Sequence, residues 1–165
     1  MIDSNICCFT GHRKIDEYDA RYLRKVLEQA IEKQYLSGIR VFRAGGAMGF
    51  DTFSALAIIE FRKKHPDVEL ELCLPCRDQA DRWSFSYKKL YNGVLSKADR
   101  VRYAYDRYVN GCMLVRNRML VDGSRSCIAY YNGDSGGTGY TYAYAAKKGL
   151  ELINLYDIIR ENKIG

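Results

Sequence analysis

Two glycine loops hold the residues of this 165-residue chain whose types and spacing point most directly to chemistry. Gly45-Gly46-Ala47-Met48-Gly49-Phe50-Asp51 follows a short apolar run and opens a helical pattern, and Gly136-Gly137-Thr138-Gly139-Tyr140-Thr141 stands in the same context further on. Glycine lets backbone N–H groups approach a bound anion with no Cβ in the way, and a following helix N-terminus adds about half a positive charge. Two such loops imply one anion pocket, and the chemistry they suggest is phosphate recognition. Gly11-His12-Arg13, after the first apolar run, adds a guanidinium suited to bidentate phosphate contact and an imidazole able to bond a phosphate or move a proton. Asp51, at a helix start, is either a capping carboxylate or a contact for a ribose hydroxyl or a base. His12 and Asp51 are the candidate catalytic groups.

Several familiar readings fail on spacing. Neither loop is followed by the Gly-Lys-Ser/Thr of a P-loop, and neither matches GxGxxG. Gly133-Asp134-Ser135-Gly136-Gly137 reproduces the string around the nucleophile of chymotrypsin-like proteases. That chemistry needs a histidine base and a buried aspartate on a double β-barrel, whereas this chain alternates strand and helix and has two histidines, His12 and His65. Cys73-Leu74-Pro75-Cys76 has CxxC spacing, but Cys73 falls inside a strand and no second close pair completes a zinc site. No metal is expected, and the six cysteines read as reduced, buried thiols.

The elements that must position these groups follow from hydrophobic periodicity. Ile6 to Phe9 reads as a buried strand, and Leu23, Val26, Leu27, Ala30 and Ile31 recur at helical spacing until Gly38 stops them. Ile39 to Ala44 predicts a second strand, and Phe53 to Phe61 an apolar helix that ends before Pro66. Val68, Leu70, Leu72 and Leu74 alternate with Glu69, Glu71 and Cys73, which predicts a strand with one face near solvent, towards the sheet edge. A helix is predicted from about Gln79 to Leu95, with Trp83, Tyr87, Leu90, Tyr91 and Val94 on one stripe. Val101 to Tyr103, Cys127 to Tyr131 and Leu152 to Leu155 read as further strands; Met113 to Val121 and Tyr142 to Lys148 read as helices. This alternation predicts an α/β domain over residues 1–165, with a mostly parallel sheet and helices on both faces. Ligands then bind beyond the carboxyl ends of the strands, where the glycine loops fall.

With 47% hydrophobic residues and no linker-like run, the chain is sized for one core. No apolar run is long enough to span a bilayer and no signal-peptide pattern is evident, so the expectation is a cytoplasmic protein without a membrane role. A net charge of +6 favours polyanionic or phosphorylated partners. Arg100, Arg102, Tyr103, Tyr105, Arg107 and Tyr108 interleave cations with aromatics, a composition that suits single-stranded nucleic acid or, more plainly, a tyrosine-rich wall.

Cys8-Phe9-Thr10-Gly11-His12-Arg13, the Gly45 to Asp51 loop, Leu74-Pro75-Cys76 with Gln79 and Trp83, Arg116-Asn117-Arg118, and the Gly136 to Thr141 loop together resemble the SLOG superfamily, in its YpsA-like branch of bacterial and phage proteins. The resemblance implies a Rossmann-like three-layer fold and a pocket for a nucleotide or nucleotide-derived phosphorylated ligand, as a sensor or an enzyme. It implies binding roles for Gly11, His12, Arg13, Gly45, Gly46, Gly49, Asp51, Gln79, Trp83, Arg116, Gly136, Gly137, Thr138 and Thr141. Two branches of the superfamily suggest alternatives: DprA-like proteins bind single-stranded DNA, and LOG enzymes release the base from nucleoside monophosphates. The LOG glutamate corresponds here to Ala143, a departure that removes the obvious carboxylate for N-glycosidic hydrolysis. No cofactor beyond a nucleotide-like ligand is expected, and a homodimer is expected by family analogy and because symmetric dimers are common.

Overall fold

Parallel pairing in a single sheet is the dominant fact of the architecture. The structure is a computed structural model that describes the backbone of residues 2–164 and the side chains of residues 2–162. Six strands, β1 (Ile6–Gly11), β2 (Val41–Ala44), β3 (Glu69–Leu74), β4 (Arg100–Tyr103), β5 (Ser126–Tyr130) and β6 (Glu151–Asn154), alternate with six helices. The helices are α1 (Glu17–Leu36), α2 (Phe50–Arg62), α3 (Phe85–Lys97), α4 (Cys112–Val121), α5 (Gly137–Lys147) and α6 (Leu155–Ile164). The sheet order is β4-β3-β2-β1-β5-β6, with every neighbouring pair parallel. The chain builds outward from β1 through β2, β3 and β4, then returns to the other side of β1 as β5. The switch point between β1 and β5 is where an open α/β sheet leaves a crevice at its carboxyl edge.

Alternation of side chains sorts the two faces. Phe9, Phe42, Leu70, Leu72 and Leu74 meet α1, α2, α3 and α6 in the larger core, where Phe9 stacks on Phe42 at 5.8 Å between centroids. Cys8, Cys73 and Cys127 point to the other face, beneath Leu120, Val121 and Ala145 of α4 and α5. All six cysteines are buried and unlinked. The Cys76 thiol faces Asp78 and Cys112, and burial together with the Asp78 carboxylate pushes it up to about 12, so it stays protonated.

Two expectations are corrected. β3 is one strand in from the edge and almost wholly buried, and the edge is β4. The alternating glutamates misled because Glu71 is buried against Arg43 at 3.2 Å rather than facing water. The helix expected from about Gln79 begins at Phe85, where the Ser84 hydroxyl caps it by accepting the N–H of Tyr87; residues 77–82 form turns, so Trp83 precedes the helix.

Candidate functional site

The loops after β1 and β2 are locked together before any ligand is considered. The N–H of Phe50 donates to the carbonyl of His12 at 3.1 Å. Gly49, at φ 85° and ψ −127°, caps α2 and lies so close to the backbone of Arg13 that a Cβ would stand 2.5 Å from its carbonyl carbon. Gly11 lies against the ring of Phe50 in the same way. A Cβ on Gly45 would fall 2.7 Å from Asp51 Oδ2 and 2.9 Å from Arg116 Nη1, and one on Gly46 would strike Leu74. The first glycine loop therefore owes its composition to close packing within the protein.

The second loop is built differently at its first two glycines, while a Cβ on Gly139 would stand 2.9 Å from the carbonyl oxygen of Asp134. α5 starts at Gly137 with no side-chain cap, after Gly136 at φ 132°. A Cβ on Gly136 would meet nothing within 4 Å, and one on Gly137 would meet Asn117 Nδ2 at 3.9 Å, an ordinary contact. The first-turn N–H groups of a helix have no intrahelical partner. Those of α5 open into a cleft of about 320 Å³ lined by Gly11, His12, Arg13, Asp51, Arg116 and Gly136 to Thr138, among others.

Electrostatics in this cleft centre on Arg116, which is 7% exposed. Its Nη1 donates to the carbonyl of Gly45, its Nε donates to Asn117 Oδ1 at 2.9 Å, and it enters no ion pair among the described residues. Asp51 is equally buried, and its Oδ2 accepts the N–H of Ala47 at 3.2 Å. Burial raises the Asp51 carboxyl above its ordinary range, opposed by the charge of Arg116, then by the Ala47 N–H and by Arg13. Arg13 itself is exposed on the β1–α1 loop. His12 Nε2 accepts the N–H of Asn132 at 3.0 Å, which leaves Nδ1 as the ring atom free to donate.

Behind the cleft, Tyr130 fixes the β1–α1 loop from below. Its hydroxyl donates to Asp19 Oδ2 and accepts the N–H of Asp16, while Arg160 pairs with Asp19 at 2.8 Å. The Tyr130 ring stacks on Phe50 and meets His12 edge-on.

Of the residues singled out from sequence, Gly11, His12, Arg13, Asp51, Arg116, Gly136, Gly137 and Thr138 converge on the cleft. Gly45, Gly46 and Gly49 support it from behind. Thr141 is buried and its hydroxyl donates to the Gly137 carbonyl at 2.9 Å, inside α5. Gln79 donates to the Tyr91 hydroxyl at 3.1 Å and Trp83 meets the Tyr91 ring edge-on, both outside the cleft lining. Met113, Asn117 and Leu120 of α4 line the cleft as well. Asn117 stood beside Arg116 in the quoted motif, whereas Met113 and Leu120 follow ordinary helical periodicity and carry no sequence signal. The Arg/Tyr segment is largely consumed internally: Arg100 pairs with Glu69, Arg102 with Glu71, and Arg77 covers the Tyr103 ring. Among the described residues, no group of three or more His, Cys, Asp or Glu could hold a metal, and no helix is long and apolar enough to cross a membrane.

An all-parallel sheet with order β4-β3-β2-β1-β5-β6 and a glycine-lined cleft at the switch point defines a Rossmann-like α/β protein. The chain belongs to the YspA SLOG family, whose model matches residues 7–160. It is 31% identical to the SPbeta prophage-derived protein YoqJ of Bacillus subtilis, covering 76% of this chain and 78% of that one. It is 29% identical to a UPF0398 protein of Halalkalibacterium halodurans over 77% of this chain and 68% of that protein. The fold is also that of DNA processing protein A (DprA). The Streptococcus pneumoniae structure superposes with a TM-score of 0.65 at 18% identity over 92% of this chain, which spans 50% of that chain. The Helicobacter pylori structure, described for its single-stranded DNA binding mode, gives 0.64 at 15% identity, covering 98% of this chain and 74% of that one.

Proposed function

We propose that the cleft binds the phosphate of a nucleotide or nucleotide-derived ligand on the first turn of α5. The observation that carries this reading is Gly137: no packing contact requires a glycine there, yet it stands on the open helix N-terminus beside a buried guanidinium. Gly136, Gly137 and Thr138 would supply N–H donors, Arg116 and Arg13 the counter-charge, and Asp51 an acceptor for a ribose hydroxyl. A volume of about 320 Å³ is at the lower end of small-molecule sites, which favours one nucleotide unit over an enclosed dinucleotide. Membership of the SLOG family, and the single-stranded DNA binding described for the DprA neighbour, support a ligand of this class.

The test is a thermal-shift panel of mononucleotides, dinucleotides, ADP-ribose and short single-stranded DNA. A ligand at about 100 times its dissociation constant adds about 2.7 kcal/mol. At about 2–4 °C per kcal/mol for a chain of this size, that is a rise of about 5–11 °C. The rise should vanish in Gly137→Trp; an equal rise in that variant refutes the reading.

One observation favours a second reading as an N-glycosidase. Asp51 is a buried carboxyl in the cleft with a raised proton affinity, the kind of group that can serve acid–base chemistry. Ala143 is exposed on α5 outside the cleft, so the role of the LOG glutamate would have to fall to Asp51 or to His12, both of which line the cleft. Base release from a nucleotide panel, lost in Asp51→Asn with binding retained, supports this reading; no release from the wild type removes it.

A further inference from the structure

A second surface begins where the cleft ends. Arg118, Tyr140, Ala143, Tyr144 and Lys147 line an open groove of about 510 Å³ between α4 and α5. It meets the cleft at the first turn of α5, where Tyr140 of the groove stands three and four positions after Gly137 and Gly136 of the cleft and so on the same side of the helix. From Gly137 to Lys147 the path along α5 is about 15 Å.

Its chemistry combines aromatic rings with cations. The Tyr140 and Tyr144 rings lie parallel, 6° apart, with centroids at 6.2 Å. Arg118 Nε donates to the Tyr140 hydroxyl at 2.8 Å, and Lys148 approaches the Tyr144 ring at 5.4 Å. Arg118, Lys147 and Lys148 are exposed and form no ion pair among the described residues. Asp122 accepts the Tyr144 hydroxyl at 2.7 Å and its charge also acts on Arg118, which leaves Lys147 and Lys148 as the cations of this face with no carboxylate paired to them among the described residues. Parallel rings interleaved with free cations are what a single strand of nucleic acid uses: bases stack on the rings and phosphates meet the cations. The Arg100 to Tyr108 segment has the same composition, yet two of its three arginines, Arg100 and Arg102, are spent on Glu69 and Glu71.

We infer that the α4–α5 groove is a binding track for single-stranded nucleic acid, continuous with the cleft, so that one phosphate of the strand sits on the α5 N-terminus. The inference rests on the phosphate reading of the cleft and extends it from a single nucleotide to a strand.

The experiment is fluorescence anisotropy with labelled oligothymidylate and oligouridylate of about 12 nucleotides, over a salt series, beside thermal shift with the mononucleotide alone. Tyr140→Ala and Tyr144→Ala should each weaken oligonucleotide binding by at least about fivefold, the lower bound for losing one stacked base. Lys147→Ala, at an exposed position where folding is not at risk, should reduce the salt slope by about 0.7. Mononucleotide affinity should be unchanged in all three. A preference for either oligomer would identify the strand as DNA or RNA within the same chemistry. Oligonucleotide binding that ignores all three substitutions overturns the track and leaves the cleft reading standing, as does a wild type that binds the mononucleotide but no strand. Groove-dependent strand binding without mononucleotide binding removes the cleft reading and overturns the seating of a strand phosphate on the α5 N-terminus, leaving the groove alone as the strand site.

Discussion

Replacing Gly49 and Gly137 by alanine should move stability in opposite directions, although both glycines open helices after strands. Gly49 has φ 85° and ψ −127°, a region that side chains rarely enter, at about 1–3 kcal/mol. The added Cβ would also stand 2.5 Å from the Arg13 carbonyl carbon, and relief requires the β1–α1 loop to shift, for about 1–3 kcal/mol more. The loss is therefore about 2–6 kcal/mol. At about 2–4 °C per kcal/mol this lowers Tm by about 4–24 °C. Gly137 begins α5, and its Cβ would find Asn117 Nδ2 at 3.9 Å, which is ordinary contact. Alanine there restricts the unfolded chain without straining the native one, so stability should hold or rise by about 0.4–1 kcal/mol. Calorimetric melts and urea titrations of the two variants check this directly. A Gly49→Ala protein that melts with the wild type would refute the argument that the first loop is glycine-rich for packing, and a Gly137→Ala protein as damaged as Gly49→Ala would refute the openness of the second.

Two further outcomes follow from buried charge. Because burial raises the Asp51 carboxyl, the native state holds this proton more tightly than the unfolded chain, whose carboxyl titrates near 3.9. Its stabilising contribution is complete below that pH and is lost as pH rises through the native value, so urea titrations from acid to neutral pH should show the wild type losing stability relative to Asp51→Asn. The opposite trend would mean that Arg116 and Arg13 outweigh burial. Glu71→Gln leaves Arg43 buried without its carboxylate and should destabilise by about 3–5 kcal/mol in urea titration, whereas Arg43→Leu with Glu71→Leu together should recover most of the loss. A silent single variant would contradict the pairing.

Periodicity and glycine placement made the α/β alternation legible, because strands buried on both faces and helices with one apolar stripe leave different patterns. Glu71 shows where that ends: a carboxylate in an alternating strand reads as solvent-facing, and its burial depends on Arg43, 28 positions earlier and on another strand. Trp83 was misplaced for a related reason, since its apolar match with Tyr91 is a tertiary contact across a turn, not a helical repeat. The loops were legible as a cleft, but not which of them stays open. Gly49 and Gly137 look alike in sequence, and what separates them is the backbone of Arg13, seated on the α2 N-terminus. Arg116 facing the cleft and Arg118 facing solvent follows from the turn of a helix, and was readable once α4 was assigned.

The place of β1 in the sheet also sets an order of events in synthesis. β1 precedes the other five strands of the sheet in the chain, yet one of its edges is filled by Ser126–Tyr130. As the chain emerges, β1 can pair with β2 and build outward to β4 while its other edge still offers unpaired N–H and C=O groups. Such an edge recruits foreign strands until it is covered, and parallel pairings between distant segments form slowly. Between the synthesis of β1 and that of β5 the chain thus carries an open seam at the middle of its eventual sheet, and the arrival of β5 closes that seam and creates the switch point at which the cleft lies.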